Sequence, residues 1–456
     1  MSYSPHLRTA VLLSGSGTGG AYHAGVLRAL HEAGIKIDVM CGRGIGSVGA
    51  VFAAIDAAPK TWEEGGVWRQ KPPVRFYGWR PAVQAAAVLA LLAAAVLLVP
   101  LLVLATGLVA YPASFLAQMI SVDAGIRIAM AYTAMIAAAF SPAALPTVLP
   151  RLVTLLLAAA FGVLAVSAFR VRRELRTGAG HRDRGRWWAR IIGSPWTAEP
   201  GLRHFRELLW HVFRGPTAAK QPPPAEFSRR YTELLIENLG QPGFRELIVT
   251  TLDLETRTDL VFAALMESRR RKFFHRQGAS GDLVDLAGVG RNQILAAVAG
   301  SLSVPVLTEA PPIAFSPESY WKGETHRTCD RPAAVGRLLA ELSFAGVEQV
   351  IMVSAVADRS APHHLSKTAG TLESRLAEHL SAAEAAAIRD AVSAHRAQFD
   401  GLFLIQPTHN PVGPFDFDGS YDERSDRYQS LGELVDRGYE DAYKQFIEPV
   451  VGNETL

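Results

Sequence analysis

The sequence predicts an α/β domain that is interrupted by a hydrophobic helical hairpin crossing a membrane. Two observations predict this fold class. First, strand, glycine-rich turn and helix follow one another twice within residues 9–57, an order typical of a parallel sheet covered by helices on both faces. Second, no charged residue occurs from residue 81 to residue 122. Because about 20 apolar residues are enough to cross a bilayer, this stretch predicts a spanning helix.

The first two α/β units begin directly at the N-terminus. The apolar run 9–13 predicts a strand, and the apolar face of residues 21–33 predicts a helix. A second strand is expected at 37–41, followed by a glycine-rich turn and a helix of small residues over 48–57. The residues before the first strand lack the charged start, apolar stretch and small-residue cleavage site of a signal peptide. We therefore expect this domain to stay in the cytoplasm.

The insertion contains two strongly apolar stretches. Residues 85–109 are almost entirely Ala, Leu and Val, and residues 152–169 form the second stretch. The apolar residues 128–140 lie between them but are fewer than a spanning helix needs. Because the sequence on both sides of the insertion belongs to one soluble domain, the number of crossings must be even. We predict two spans and keep four as the alternative.

Basic residues flank the insertion on both sides. They precede it at Arg69, Lys71, Arg75 and Arg80, and they follow it at Arg170, Arg172, Arg173, Arg176, Arg182, Arg184, Arg186 and Arg190. By the positive-inside rule we expect an integral protein of the cytoplasmic or inner membrane, with its soluble domain in the cytoplasm. Tryptophans among these residues favour membrane lipids as partners, with anionic headgroups at Arg170–Arg190, over nucleic acid. Assembly into a homo-oligomer stays open.

Soluble α/β sequence resumes after the proline triplet at 222–224. Helices are expected at 227–239, 293–298, 333–344, 373–396 and 431–450, and strands at 247–252, 259–264, 301–307, 349–354 and 402–406. The predicted divisions are the first part of the α/β domain (1–80), the membrane insertion (81–170), a basic juxtamembrane linker (171–225) and the remainder of the domain with a C-terminal helical extension (226–456).

The composition excludes several kinds of protein. With 49% hydrophobic and 20% charged residues, the chain is neither disordered nor fibrous. Two cysteines, Cys41 and Cys329, are too few for a disulfide framework or a cysteine-rich zinc site. Histidines such as His23 and His326 show no metal-ligand spacing. We therefore expect neither a metal nor a cofactor.

The glycine-rich turn 15–20 (GSGTGG) follows a strand and opens a helix, and such a turn has three meanings. It can bind a dinucleotide, whose pyrophosphate approaches the helix N-terminus. That interpretation needs an acidic residue at the end of the second strand, whereas Asp38 lies at its beginning. It can form an oxyanion hole from backbone N–H groups. It can also be a tight structural turn.

The residues around this turn resemble one family. Residues 13–30 (LSGSGTGGAYHAGVLRAL) are similar to the first motif of the patatin-like lipid acyl hydrolases, and residues 38–54 are similar to the region of the family's nucleophile elbow. Weaker similarities continue at 246–262, 295–312 and 331–354. The resemblance implies a patatin-like parallel-sheet domain, a serine–aspartate dyad, and phospholipid or lysophospholipid esters as substrates. It also implies an oxyanion hole formed by Gly15, Ser16, Gly17 and Gly20.

The dyad implied by the resemblance is altered in this sequence. Counted without gaps from the first turn, the nucleophile position of the family's G-x-S-x-G elbow falls on Gly44, which has no side chain. A shifted register offers Ser47 as the nucleophile. Counting back from the Arg-Pro pair at 331–332 gives Glu324 as the base, and Asp330 is a further carboxylate nearby. We expect recognition of lipid acyl esters at the membrane surface, either with hydrolysis through Ser47 or as a catalytically inactive lipid-binding or scaffold protein.

Overall fold

The structure is a computed structural model of the 456-residue chain. It describes residues 3–176, 193–215, 219–276, 281–357, 370–410, 412–422 and 427–451. The basic stretch Arg170–Arg190, predicted to contact anionic headgroups, lies outside the residues whose side chains are described.

The chain forms two compact units. The sheet unit consists of Met1–Gly78 and Trp196–Leu456, and the apolar unit consists of Trp79–Pro195. The sequence-based boundaries at residues 80, 170 and 225 stay predictions.

The strands are β1 (Thr9–Gly15), β2 (Val39–Gly44), β3 (Gly78–Trp79), β4 (Trp196–Thr197), β5 (Glu246–Asp253), β6 (Thr258–Ala264), β7 (Leu283–Asp285), β8 (Pro312–Ala314), β9 (Thr325–Cys329), β10 (Gln349–Ser354), β11 (Gly401–Ile405), β12 (Ser420–Asp422) and β13 (Arg427–Gln429). The helices are α1 (Gly19–Glu32), α2 (Gly46–Ala54), α3 (Pro59–Trp62), α4 (Pro81–Ala105), α5 (Gly107–Gln118), α6 (Val122–Ala139), α7 (Leu145–Arg176), α8 (Glu199–Arg214), α9 (Pro224–Asn238), α10 (Glu267–Phe274), α11 (Ile294–Leu302), α12 (Ala334–Phe344), α13 (Leu372–His395) and α14 (Leu431–Ala442). A 3₁₀ turn, Arg396–Gln398, follows α13, and a π-helix, Tyr443–Val451, follows α14.

The central sheet of the sheet unit is mostly parallel. Its strands lie in the order β11–β10–β1–β2–β5–β6–β7. The pairs from β11 across to β5 are parallel, whereas β6 runs antiparallel to β5. The prediction of an α/β fold with a parallel sheet is confirmed. Parallel strands also bring their carboxyl ends to one edge, where the site described below lies.

The strands at the centre of this sheet are buried on both faces. Every residue of β1, β2 and β10 is buried, which explains why these segments are continuous apolar runs in the sequence. Along β1, Val11 and Leu13 pack into one hydrophobic cluster, whereas Ala10 and Leu12 pack into a second. This alternation is the period of two residues that a strand imposes.

Helices α1 and α14 cross at two glycines. A Cβ atom on Gly25 would lie 1.8 Å from the carbonyl oxygen of Val435, and one on Gly438 would lie 2.2 Å from that of Tyr22. The Tyr22 hydroxyl also donates a hydrogen bond to Asp441 at 3.0 Å. The C-terminal helix therefore packs directly on the helix that follows the first glycine turn.

Adding a methyl group at this crossing should destabilise the sheet unit. We expect Gly25→Ala to lower the free energy of unfolding by about 1–3 kcal/mol, because the two helix backbones must separate. Gly432→Ala, on the same C-terminal helix, is the matched control, since the nearest atom to its Cβ would be 3.8 Å away. We expect no loss of stability in that control. Chemical denaturation followed by tryptophan fluorescence measures both variants, and equal losses would contradict the close crossing.

The apolar unit contains two helix pairs. Helix α4 packs along α7, and α5 packs along α6. The Ser114 hydroxyl in α5 donates to the Gly125 carbonyl in α6 at 2.8 Å. The Tyr132 hydroxyl in α6 donates to the Leu104 carbonyl, near the end of α4, at 3.0 Å. Within the described part of the chain, three helical stretches are long and apolar enough to cross a membrane: Pro81–Gln118, Val122–Ala139 and Leu145–Phe169.

The strand predicted at 301–307 was wrong. Ser301 and Leu302 complete α11, and a loop follows. In that loop the Ser303 hydroxyl donates to the Glu309 carbonyl at 2.6 Å, and the Thr308 hydroxyl donates to the Val304 carbonyl at 3.1 Å. Such local side-chain bonds to the backbone compete with a strand ladder. Of the apolar residues in this loop, Val304 and Leu307 are buried, whereas Val306 is 90% exposed.

Candidate functional site

Two glycine turns meet at the carboxyl ends of β1 and β2. The register pairs Gly15 with Gly44, and the Ile45 N–H donates to the Gly15 carbonyl at 2.9 Å. Gly44 has a φ of +55°, a conformation that favours glycine. A Cβ atom on Gly44 would lie only 2.2 Å from the Gly15 carbonyl oxygen. A strand-to-helix turn is therefore formed with Gly44 at its apex and α2 directly behind it.

The carboxylate of Asp330 lies beside the apex of this turn. Its Oδ2 atom is 3.1 Å from the point that a Cβ on Gly44 would occupy. Asp330 directly follows β9, and its N–H donates to the Ser303 carbonyl at 2.9 Å. A carboxylate is thus held where it would contact a nucleophile projecting from position 44. The position itself carries no side chain.

Ser47, the nucleophile offered by the shifted register, lies in the first turn of α2. It is fully buried, and its hydroxyl donates to the Gly44 carbonyl at 2.7 Å. Serines near a helix start commonly bond to the backbone in this way. Among the described residues, the recorded partner of this hydroxyl is a backbone carbonyl rather than a carboxylate or imidazole.

Glu324, the base suggested by counting, lies just before β9. Its side chain is 56% exposed, and its carboxylate contacts Nε2 of His326 at 3.1 Å. The Nδ1 atom of the same imidazole contacts the buried carboxylate of Asp253 at 2.6 Å. The structure therefore brings Asp330, and not Glu324, to Gly44.

The side chain of Arg43 fills the site. It is fully buried, and its guanidinium makes a two-pronged ion pair with Asp330, in which Nε donates to Oδ1 at 3.2 Å and Nη2 to Oδ2 at 2.6 Å. It also donates to the hydroxyls of Ser14 at 3.3 Å and Ser16 at 3.2 Å. Glu384 of α13 completes the cluster, with a carboxylate oxygen 3.5 Å from Nη1. One guanidinium therefore faces two buried carboxylates.

Burial dominates the electrostatics of this Arg43 cluster. It raises the pKa of Asp330 and of Glu384, against the opposing effect of the Arg43 guanidinium. Burial by itself would lower the pKa of Arg43, but the two carboxylates outweigh it and that pKa is raised. Arg43 therefore stays charged, and the two carboxylates compete for one cation.

The segment 412–419 covers the first glycine turn. The Pro414 carbonyl accepts the Thr18 N–H at 3.0 Å, and a Cβ on Gly17 would lie 1.7 Å from the same oxygen. The Gly20 N–H donates to the Gly17 carbonyl at 3.4 Å. This backbone is therefore tightly packed. The oxyanion role expected of Gly15, Ser16, Gly17 and Gly20 stays a prediction.

Sequence reasoning did not identify Arg43 or Glu384 as site residues. Arg43 carries a signal that could have found it, because a single cation between two glycines of an apolar segment (VMCGRGIG, 39–46) requires a buried counter-charge. Glu384 carries no such signal. It lies in a charged helical stretch that is typical of a solvated face.

The described ranges contain no group of three or more His, Cys, Asp or Glu side chains placed to hold a metal ion. The two cysteines, Cys41 and Cys329, are free and buried. Burial raises the pKa of both thiols, that of Cys329 to about 11. Neither is therefore a reactive thiolate at neutral pH.

Comparison with known proteins gives local similarities. No protein-family model matches the chain. A stretch of 60 residues, 13% of this chain, is 42% identical to patatin-like phospholipase domain-containing protein 6 of Mus musculus and covers 4% of that protein. The human protein matches equally. A stretch of 47 residues is 47% identical to triacylglycerol lipase ptl3 of Schizosaccharomyces pombe, over 10% of each chain. The chain therefore spans a small part of the length of these relatives.

Among solved structures, the crystal structure of VipD from Legionella pneumophila is similar over 99% of this chain and 68% of its own. The sequence identity is 12% and the TM-score 0.35.

Proposed function

We propose that this chain is a membrane-anchored lipid-binding protein whose patatin-like domain recognises lipid acyl esters at the cytoplasmic membrane face without hydrolysing them. The observation that carries the proposal is the apex of the elbow. Gly44 occupies the position from which a nucleophile would project, and the buried Arg43 holds the neighbouring carboxylate of Asp330 in an ion pair.

Acyl-ester hydrolysis by a serine–aspartate pair needs a side-chain oxygen that a base can deprotonate. Gly44 supplies none. The Ser47 hydroxyl would first have to leave the Gly44 carbonyl to which it donates. Both oxygens of Asp330 also already accept hydrogen bonds from the Arg43 guanidinium, with which the hydroxyl of a nucleophile would have to compete. These three features together favour binding over hydrolysis.

Local sequence supports lipid as the ligand. The matched stretches belong to proteins named as a patatin-like phospholipase domain protein and a triacylglycerol lipase. The apolar unit supports a bilayer location, because large apolar side chains such as Leu91, Leu101 and Phe169 are more than 60% exposed in it. The rival function is a hydrolase with Ser47 as nucleophile; among the residues that the structure describes, the recorded contact of the Ser47 hydroxyl, to the Gly44 carbonyl, does not favour it.

A fluorophosphonate probe that labels activated serines tests the proposal. We expect no labelling of the full chain purified in detergent, and no difference between wild type and Ser47→Ala. A purified patatin-type hydrolase labelled in parallel confirms that the probe is active. Labelling of the wild type that disappears in Ser47→Ala would establish the rival function.

The dimensions of the helices favour two membrane crossings, α4 outward and α7 back. Helix α4 has 25 residues and is about 37 Å long, enough for a hydrocarbon core of about 30 Å. Helix α5 has 12 residues, about 18 Å, which is too short to cross alone. Of the three apolar stretches, Val122–Ala139 has the lowest mean hydropathy. Strands β2 and β5, on either side of the insertion, pair in one sheet, so the crossings must be even in number.

This topology places the turn between α5 and α6 on the far side of the membrane. We expect Asp123→Cys, in the first turn of α6, to react with a membrane-impermeant maleimide from the side opposite to Lys60→Cys, on the surface of the sheet unit. The unsubstituted chain is the control, because both native cysteines are buried. Labelling of both variants from the same side would contradict two crossings by α4 and α7.

A further inference from the structure

The carboxylate of Glu384, on helix α13, lies in the site although it is distant in sequence from the other site residues. Glu384 is fully buried. Its Oε1 accepts the Ser14 hydroxyl at 3.2 Å, its Oε2 accepts the Ser16 hydroxyl at 3.5 Å, and Arg43 lies 3.5 Å away. The two serine hydroxyls in turn accept hydrogen bonds from the Arg43 guanidinium. Glu384 is thus held by three donors that converge on one carboxylate.

The two carboxylates of the cluster are held unequally. Asp330 receives two guanidinium hydrogen bonds, the shorter at 2.6 Å, and its N–H is tied to the Ser303 carbonyl next to the sheet. Glu384, on helix α13, lies 3.5 Å from the same guanidinium. Asp330 is therefore the fixed counter-ion of Arg43, and Glu384 is an additional, more weakly held one.

A cavity of about 290 Å³ lies beneath the same helix. Its lining combines apolar side chains, Ala385, Ile388 and Val392 of α13 and Leu404 of β11, with the polar side chains of Arg389, Ser393, Arg396 and Gln406. Ile388 follows Glu384 by four residues, so the two side chains lie on the same face of the helix. Along α13 the lining of the cavity begins at Ala385, the residue that directly follows Glu384.

We propose that Glu384 occupies an anion-binding pocket formed by Arg43, Ser14 and Ser16. The ligand of this pocket is a single-chain lipid anion whose carboxylate or phosphate head group replaces the Glu384 carboxylate. A guanidinium flanked by two hydroxyls is a set of donors that suits a carboxylate or a phosphate. The cavity beneath α13 accepts the start of the acyl chain. This inference goes beyond the proposed function, because the group recognised in the pocket is an anionic head group rather than an ester.

Water-soluble eight-carbon ligands test the pocket on the full chain in nanodiscs by calorimetry. We expect Glu384→Ala to bind octanoate at least about tenfold more tightly than wild type, because a competing buried carboxylate is removed. Glu384→Gln keeps the volume of the side chain and should gain about threefold or more, since an amide is a weaker ligand of guanidinium. Glu378→Ala, on the exposed face of α13, is the matched control and should bind like wild type.

Further binding measurements identify the part of the ligand that is recognised. Octyl phosphate in place of octanoate distinguishes a lipid phosphate from a fatty-acid carboxylate, and tighter binding of either one in Glu384→Ala supports the pocket. Adding Ser16→Ala to Glu384→Ala should weaken the binding severalfold by removing one donor. Octanol binding as tightly as octanoate, or no gain over wild type in either Glu384 variant, would overturn the proposal. Because no ester is used, this result is independent of whether the chain hydrolyses esters.

Discussion

Replacing Arg43 by methionine lowers the free energy of unfolding by about 3–5 kcal/mol, the usual penalty for breaking a buried ion pair by removing one partner. Methionine has a similar length and fills the space with apolar atoms. It leaves Asp330 and Glu384, both buried, without their cation. The hydroxyls of Ser14 and Ser16 lose their donor at the same time. The expected loss is the largest of any single substitution in the site.

Denaturant unfolding of the full chain in detergent, followed by tryptophan fluorescence, measures this loss. Arg230→Met is the matched control, because Arg230 pairs with Glu226 on the exposed surface of α9 and such pairs contribute about 0–1 kcal/mol. Arg43→Lys keeps a charge in the site and should lose less than Arg43→Met. A loss in Arg43→Met no greater than in the Arg230 control would show that the guanidinium does not hold the elbow together.

Replacing Glu384 by glutamine changes how stability depends on pH. Burial raises the pKa of Glu384 in the folded chain above its ordinary value of 4.5. The folded state then holds the proton more firmly than the unfolded state, so this group contributes stability below about pH 4.5 that is lost as the pH rises through its raised folded pKa. Glu384→Gln should therefore be as stable as wild type in acid and increasingly more stable relative to wild type above that range.

Several charged groups surround Glu384 and must be kept constant in this experiment. Arg43 and Asp330 face it from β2 and from the end of β9. The pKa of Asp330 is raised in the same direction, so some of the pH dependence remains in the variant. Glu378→Gln on the exposed face of α13 is the control and should follow wild type throughout. A stability difference between Glu384→Gln and wild type that does not change with pH would contradict the claim that two buried carboxylates compete for the single guanidinium of Arg43.

The first half of the site could be predicted from the sequence because its determinants are local. The strand, glycine turn and helix that the sequence predicts over residues 9–33 are present in the structure as β1, the turn after it and α1. Counting without gaps also brought Gly44 to the apex of the second turn. Both results follow because glycine spacing and apolar runs act over a few residues.

The second half of the site could not be predicted because it depends on tertiary contacts. The counting argument chose Glu324 because β9 was not foreseen, and once Thr325–Cys329 forms a strand, Asp330 emerges at its carboxyl end. Glu384 is separated from Ser14 by 370 residues, and its helix has a surface-like composition. In the apolar unit, composition predicted long apolar helices but not the break between α4 and α5, which depends on how the helices pair.

The hydrolysis of p-nitrophenyl octanoate by the full chain tests most directly whether the elbow holds a guanidinium in place of a nucleophile. We expect the wild type, Ser47→Ala and Asp330→Asn to release p-nitrophenol at the same rate as detergent buffer alone. Turnover by the wild type that falls to this background in both Ser47→Ala and Asp330→Asn would contradict the account, because it would show a working serine–aspartate pair at the place where the structure has Gly44 and Arg43.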